Sequence, residues 1–318
     1  MNAAELKRLL VSVPRLTFGQ KAELLAALAA DGDDETVRSI VESRLVQTPV
    51  CPHCNGTWVA RNGSASGLQR YKCGTCKHTF NALTGTPMAR LRMKPKWLQQ
   101  QDVLFLGLSV SKAAAALDVA PATAFRWRHR FLQLAQTVKA PALTGVVEAD
   151  ETFFLRSSKG QCPGRQPRKR GGRASRRERG MDLIPILVVR DRSGATADFL
   201  LEAVSKACLS QAIKPYIHSD AILCTDGSAA MAAAAQELRV HHEALNLHAG
   251  ERVRGPWHIQ NVNAYHGRLK SWLARFHGVA TSYLENYLGW FRALDRASKN
   301  RQKSAPMLAL ALGLGQHH

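Results

Sequence analysis

The chain has 318 residues, 45% of them hydrophobic, which is enough for about two domains with packed cores. Lys and Arg number 44 against 24 acids, a formal charge of +20 with a pI near 10.2, and this excess favours a polyanionic partner, nucleic acid first. No apolar run reaches the roughly eighteen residues of a membrane span, and MNAAELKRLL breaks its apolar pattern with Glu5, Lys7 and Arg8, unlike a secretory signal, so a soluble cytoplasmic protein is expected.

Residues 1–48 read as a helical segment. Apolar repeats in LKRLLVSVPRL, KAELLAALAA and DETVRSIVESRL fit a small hairpin or bundle, broken at Pro14 and DGDD, with no chemistry visible in it. Residues 49–92 differ in kind. Two CxxC pairs, Cys51/Cys54 and Cys73/Cys76, stand eighteen residues apart across strand-like TWVARN and LQRYKC. Each knuckle offers two thiolates, and a hairpin brings the pairs together. One structural zinc in a closed four-sulfur site is therefore expected, with no open position for catalysis. A redox CxxC is the competing reading, and two pairs at this spacing argue against it. His53 and His78 stand close by as alternative ligands. Cys162, Cys208 and Cys224 are scattered, as unpaired thiols. Arg61, Arg70, Lys72 and Lys77 make this zinc ribbon basic.

Residues 93–140 predict a helix over about 96–106 ending at Gly107, a short helix SKAAAALD, a tight VAPAT turn and a third helix. Ala124, Trp127, Phe131 and Leu134 give the third helix a buried stripe. Thr123 stands near its start, and Arg126, His129 and Arg130 point outward. This is the layout of a helix-turn-helix whose reading helix comes last, with a plain three-helix bundle as the alternative.

From 141 to 300 the pattern turns α/β. GVVEADETFF, LIPILVVRDRSG and ATADFLLEAV read as three strands, AILCTDGSAAM as strand, turn and helix start, and HHEALN as a short strand. Adjacent strands followed by strand–helix alternation predict a mixed sheet with helices on its faces. A basic insertion interrupts it at 156–180. Its stretch GRQPRKRGGRASRRERG, residues 164–180, holds eight Lys/Arg and four Gly and has no apolar face. It reads as a mobile loop that orders against phosphates through Arg168, Lys169, Arg170, Arg173, Arg176 and Arg177, or as a solvated charged tip. Residues 301–318 remain as a tail.

The stretch HIQNVNAYHGRLKSW, residues 258–272, reads as a helix with Val262, Tyr265, Leu269 and Trp272 as its apolar stripe. Asn263, His266 and Lys270 share a neighbouring face. Asp150 lies in the first strand, and Asp226 ends a later one. Carboxylates converging from separate strands suit phosphodiester chemistry by a pair of Mg²⁺ ions, with Mn²⁺ as the alternative.

VEADETFF, CTDGS and H…NAYHGRLK…GVATSYLENYLGWF together resemble the transposases of bacterial insertion sequences with a ribonuclease H-like catalytic domain. The nearest subgroup has an N-terminal zinc ribbon and an Asp-Asp-Asn-Lys set instead of Asp-Asp-Glu. The likeness covers roughly residues 50–296. It implies a ribonuclease H-like mixed sheet flanked by helices, preceded by a helical segment, zinc ribbon and helix-turn-helix. It also implies a catalytic set of Asp150, Asp226, Asn263 and Lys270, the first three holding two Mg²⁺ ions and Lys270 a phosphate near the scissile bond. An amide in third place supplies an oxygen but no charge, so Glu243, Glu251 and Glu285 stand as candidates for a hidden third acid, Glu243 ahead. Glu148 shares a strand face with Asp150 and reads as an ion-pair partner or a group leaning towards the metals. His266 reads as an incidental surface histidine. The resemblance further implies double-stranded DNA partners, namely inverted-repeat ends and target DNA, with strand cleavage followed by strand transfer. A homo-oligomer in the synaptic complex and a nucleoid-associated location follow from it. Two readings compete: a nuclease of the same fold that cuts without joining, and a DNA-binding regulator whose catalytic domain has decayed. Asn263 argues for decay; Asp150, Asp226 and Lys270 argue against it.

Overall fold

The structure is a computed structural model that describes residues 11, 16–17, 20, 34–45, 49–157, 183–246, 249–299 and 307–314. Most of the N-terminal helical segment and the whole basic cluster from Arg168 to Arg177 lie outside the described residues, as does Cys162. The chain divides into two compact units, Met1–Phe131 with Pro306–His318, and Leu132–Ala305. No helix among the described residues is long and apolar enough to cross a membrane.

In the first unit, β1 (Val59–Ala65), β2 (Leu68–Cys73) and β3 (Thr79–Phe80) form an antiparallel sheet in that order. Alternation sorts its two faces. Val59, Cys73, Tyr71 and Phe80 face a small core with Cys51, and Tyr71 stacks on Phe80 at 5.6 Å. Ala60, Lys72 and Thr79 occupy the other, exposed face. The helix over 34–42 buries Val37 and Val41, and Glu42 Oε1 accepts the Gln69 N–H of β2 at 2.8 Å. Three helices follow: α1 (Trp97–Phe105), α2 (Val110–Leu117) and α3 (Pro121–Leu132). The Ser109 hydroxyl caps α2 by accepting the Lys112 N–H, and Asp118 ends it in the left-handed region. Trp97 and Phe131 meet edge-on in the core at 6.2 Å. Residues set apart in sequence as a tail return here. The helix Met307–Ala311 packs on α1, where Gln101 Oε1 accepts the Leu308 N–H at 3.1 Å.

The second unit is built on a five-stranded sheet of β4 (Val146–Leu155), β5 (Leu183–Asp191), β6 (Thr196–Leu200), β7 (Ile222–Thr225) and β8 (His241–Ala244). Its order is β6-β5-β4-β7-β8. The first three strands are antiparallel neighbours, while β7 and β8 run parallel to β4. This is the ribonuclease H-like mixed sheet expected from the sequence. Helices α4 (Lys206–Ile213) and α5 (Ala229–Leu238) cover one face, where Val147, Ala149, Leu187, Val189 and Leu223 meet Leu209, Ile213, Met231 and Ala234. The short hairpin of β9 (Val253–Arg254) and β10 (Trp257–His258) leads into α6 (Gln260–Ala274) and α7 (Leu284–Lys299). These two helices pack on the opposite face and share an aromatic cluster of Trp272, Phe276, Tyr287 and Trp290. On that face the buried Asp198 of β6 pairs with Arg292 of α7 and accepts the Tyr265 hydroxyl at 3.2 Å. Arg292 also donates to the carbonyls of Val138 and Ala135. A buried charge is tolerable only when paired and bonded in this way.

Candidate active site and zinc centre

The sheet register itself assembles the acids. Parallel β4 and β7 set Cys224 beside Glu148. Two residues further on, Asp226 comes level with Asp150 on the same face, one position past the end of β7. That face is the one covered by α6. Burial, and then the Asp226 carboxylate, push the Asp150 carboxyl up to about 6, against the pull of the Glu151 backbone N–H and the Lys270 ammonium. Glu151 is pushed up to about 7, by burial first and then by Asp150 and Asp226, and its Oε1 is buried without a hydrogen-bond partner. Carboxylates pushed above their ordinary range by burial and by one another fit a divalent cation, which would favour their ionised forms. Glu151 was not singled out in the sequence.

These two raised acids define a pH dependence. The unfolded chain ionises them near their ordinary 3.8 and 4.5, the folded chain only near 6 and 7. Between those limits the folded state holds more protons, so their contribution to stability is lost as pH rises through that window. The melting temperature of metal-free protein should fall across it, and Mg²⁺ should flatten the slope. A slope unchanged in both Glu151→Gln and Mg²⁺ would contradict this.

Glu148 explains how α6 is aimed. It is wholly buried and accepts the N–H groups of Asn261 at 2.8 Å and Val262 at 3.0 Å, and the Asn261 side-chain amide at 2.8 Å. Arg192 and His258 lie 3.3 and 3.4 Å from it. A carboxylate at a helix N-terminus satisfies orphan donors and opposes the helix dipole. Glu148 thus ties the strand bearing Asp150 to the helix bearing Asn263 and Lys270, and both its oxygens are spent on that bond.

Along α6, Asn263 and Lys270 are exposed and His266 is buried. His266 Nδ1 stands 3.6 Å from Asp150 Oδ2, so the reading of it as an incidental surface histidine is corrected. Periodicity placed it beside the apolar stripe but carried no sign that the strand covers that flank. Burial, then Lys270, lower it to about 4, so the ring is neutral. The proposed hidden acids have other partners. Glu243 divides its oxygens between His241 and Arg254, each at 2.8 Å. Glu251 Oε2 accepts the Asn246 N–H at 3.2 Å, and Glu285 sits in the first turn of α7.

In the ribbon, the Cys51, Cys54, Cys73 and Cys76 sulfurs lie within 4.8 Å of one another, with Cys51–Cys76 and Cys54–Cys73 both at 3.6 Å. Sulfurs bonded tetrahedrally to zinc at about 2.3 Å stand about 3.8 Å apart, so the set fits. The two knuckles are copies. Asn55 and Lys77 both have positive φ and donate N–H bonds to Cys51 and Cys73 O, while Cys51 and Cys73 donate to Gly56 and His78 O. The Cys76 backbone N–H leads in drawing Cys73 down to about 6. Cys76 is pulled down by the His78 backbone N–H, but burial and the other thiols outweigh it and drive it up to about 12. A zinc ion held by the four sulfurs would bind them as thiolates. A Cβ at Gly74 would fall 2.3 Å from the Trp58 ring, so a side chain there would displace that ring. That ring is 70% exposed, with the Lys77 ammonium 5.2 Å from its centroid.

On α3, Arg126 is exposed and Thr123 half-buried. Arg130 does not point outward as expected: its guanidinium donates to the Pro87 and Ala89 carbonyls, the latter at 2.7 Å. His129 also turns in, 4.5 Å from Phe125, and burial, then Arg128, lower it to about 4.

A five-stranded mixed sheet flanked by helices, with Asp150 on its central strand and Asp226 just past the end of the parallel neighbour, describes the second unit. Comparison with known proteins narrows it: residues 142–292 match the model of the ISXO2-like transposase domain. An uncharacterized protein in transposable element ISH50 of Halobacterium salinarum is 29% identical over 261 residues, covering 80% of this chain and 88% of that one. The resemblance to insertion-sequence transposases is borne out by both. Solved structures match loosely. A simian T-cell lymphotropic virus intasome with a PP2A regulatory subunit gives TM-score 0.28 at 11% identity, over 61% of this chain and 67% of that one. A pre-cleavage Mos1 transpososome gives 0.23 at 15%, over 64% and 76%. Likeness at that level carries no argument.

Proposed function

We propose that this chain is an insertion-sequence transposase that binds the inverted-repeat ends of its element, cleaves a strand there in the presence of divalent metal and joins the freed 3′-OH to target DNA. The observation that carries this reading is the pair Asp150, on β4, and Asp226, just past the end of its parallel neighbour β7, within the residues that match the ISXO2-like transposase domain. Asp150, Asp226 and the Asn263 amide oxygen would hold two Mg²⁺ or Mn²⁺ ions, which supply an activated hydroxyl nucleophile and charge neutralisation at the phosphate. Glu148 ties the N-terminus of α6 to the strand bearing Asp150, Asn263 and Lys270 share one face of that helix, and the Lys270 ammonium holds a phosphate oxygen of the strand being cut. Zinc in the ribbon is structural. Its exposed Trp58, with the Lys77 ammonium over the ring, suits a DNA backbone, and residues 49–92 hold six Lys/Arg and no Asp or Glu. The α2–α3 pair serves as the helix-turn-helix, with Thr123 and Arg126 as readers. The basic insertion clamps phosphates through Arg168, Lys169, Arg170, Arg173, Arg176 and Arg177. Joining requires two ends held together, hence a homo-oligomer at synapsis.

Incubating the full chain with duplex end DNA, target DNA and Mg²⁺ separates the readings. Nicked ends covalently joined to target are expected. Nicks without joining would leave a nuclease, and binding without nicks a regulator. For the reading helix, Arg126→Ala should weaken binding to the specific end more than to random DNA. Arg130→Ala should lower the melting temperature of the first unit while leaving that preference intact, since its guanidinium serves two carbonyls. Neutralising the 165–179 cluster should weaken both DNAs about equally and reduce the salt dependence. A specificity loss confined to Arg130→Ala would mean that this residue, and not Arg126, is the reader.

A further inference from the structure

We propose that His266 is a direct ligand of one of the two divalent cations, the one that Asp226 does not reach. This rests on the metal-dependent reading above and adds to its ligand set a residue from α6 that the Asp-Asp-Asn-Lys pattern omits. The His266 side chain is 8% exposed, and its Nδ1 faces Asp150 Oδ2 at 3.6 Å. That separation is too long for a hydrogen bond. Its Nε2 is buried without a partner. The fold therefore uses neither ring nitrogen, although a buried polar group normally finds a bond. Ligand bonds of about 2.0–2.2 Å place two atoms on one cation about 3.0–3.6 Å apart, between octahedral and tetrahedral angles. The His266–Asp150 spacing lies at the upper edge of that range, so the pair can grip an ion with a small adjustment of the ring.

The geometry also says which ion. Among the described residues, the ribbon thiols are the one set of three or more His, Cys, Asp or Glu whose ligand atoms gather within 4.8 Å. Asp150, Asp226 and His266 are not such a set, which suits ligands divided between two ions. Asp150 feels the Asp226 charge and also faces the His266 ring. It can be shared by two neighbouring ions, with Asp226 completing one and His266 the other, as a pair about 3.5–4 Å apart requires. An imidazole suits a transition cation better than Mg²⁺, so the His266 position should select Mn²⁺.

The test uses the full chain, zinc-replete and without DNA, loaded with Mn²⁺ alone. Electron spin-echo spectroscopy of the wild type should show nitrogen modulation from a directly bound imidazole, absent in Asp150→Ala. Calorimetry should give two Mn²⁺ per wild-type chain beyond the Asp150→Ala background, and one in His266→Ala and in His266→Phe, which refills the ring's volume. Two bound ions with no nitrogen modulation would overturn the assignment, and this needs no variant to fold. Two ions retained in His266→Phe would do the same. Wild-type uptake no greater than that of Asp150→Ala would overturn the metal-dependent reading itself, and the His266 proposal with it.

Discussion

Asp150→Ala and Asp226→Ala should each leave a protein that binds end DNA and no longer cuts it. Each change removes a ligand and a negative charge from the place where burial and mutual repulsion hold Asp150 up at about 6. Displacing a reacting centre by small distances costs on the order of a hundredfold, and losing the charge adds to it. Asn263→Ala should cost about a hundredfold, because an oxygen is lost without a charge. Asn263→Asp keeps the oxygen and should retain part of the rate at an altered metal optimum. Lys270→Ala should slow cleavage without shifting the metal requirement, since Lys270 handles phosphate. Asn263→Ala at full rate beside dead Asp150→Ala and Asp226→Ala proteins would move the third ligand elsewhere. Glu243, bound to His241 and Arg254, would then be a poorer candidate than His266.

The second large effect concerns zinc. The ribbon core holds Cys51, Cys73 and Phe80 as its fully buried members, too little apolar surface to order a three-stranded sheet alone. Structural zinc contributes about 10–16 kcal/mol in comparable small sites. Cys73→Ser should therefore release one zinc per chain by elemental analysis and open residues 49–92 to protease, while the second unit keeps its own melting transition. Fresh wild-type protein with zinc near zero would contradict the closed four-sulfur site.

What was legible in the sequence is what local spacing encodes. The two CxxC pairs, the strand face shared by Glu148 and Asp150, and the helix face shared by Asn263, His266 and Lys270 are all short-range patterns. The mixed sheet with helices on its faces followed from three consecutive strands and then strand–helix alternation, while the order of the strands did not. Contacts set by chain return were not legible. Glu148 meets Asn261 across 113 residues, and nothing near Glu148 announces a helix cap. Arg130 looked solvent-facing on its own helix, yet carbonyls 41 and 43 residues earlier capture it. Glu151 carried no signal in the sequence: alternation turns it away from Asp150, yet the charges of both acids reach it. The hairpin β9–β10 went unseen because two-residue strands have no period.

The central claim is that Asp150 and Asp226 act as one metal-holding unit on the scissile strand. Groups that act as a unit lose their function together, so removing the second after the first costs little more. The measurement is the single-turnover cleavage rate of end DNA, at saturating DNA and Mg²⁺, for wild type, Asp150→Ala, Asp226→Ala and the double variant. The account predicts that the double variant is no slower than the slower single. Losses that multiply, or an Asp226→Ala protein that cuts at the wild-type rate, would contradict it.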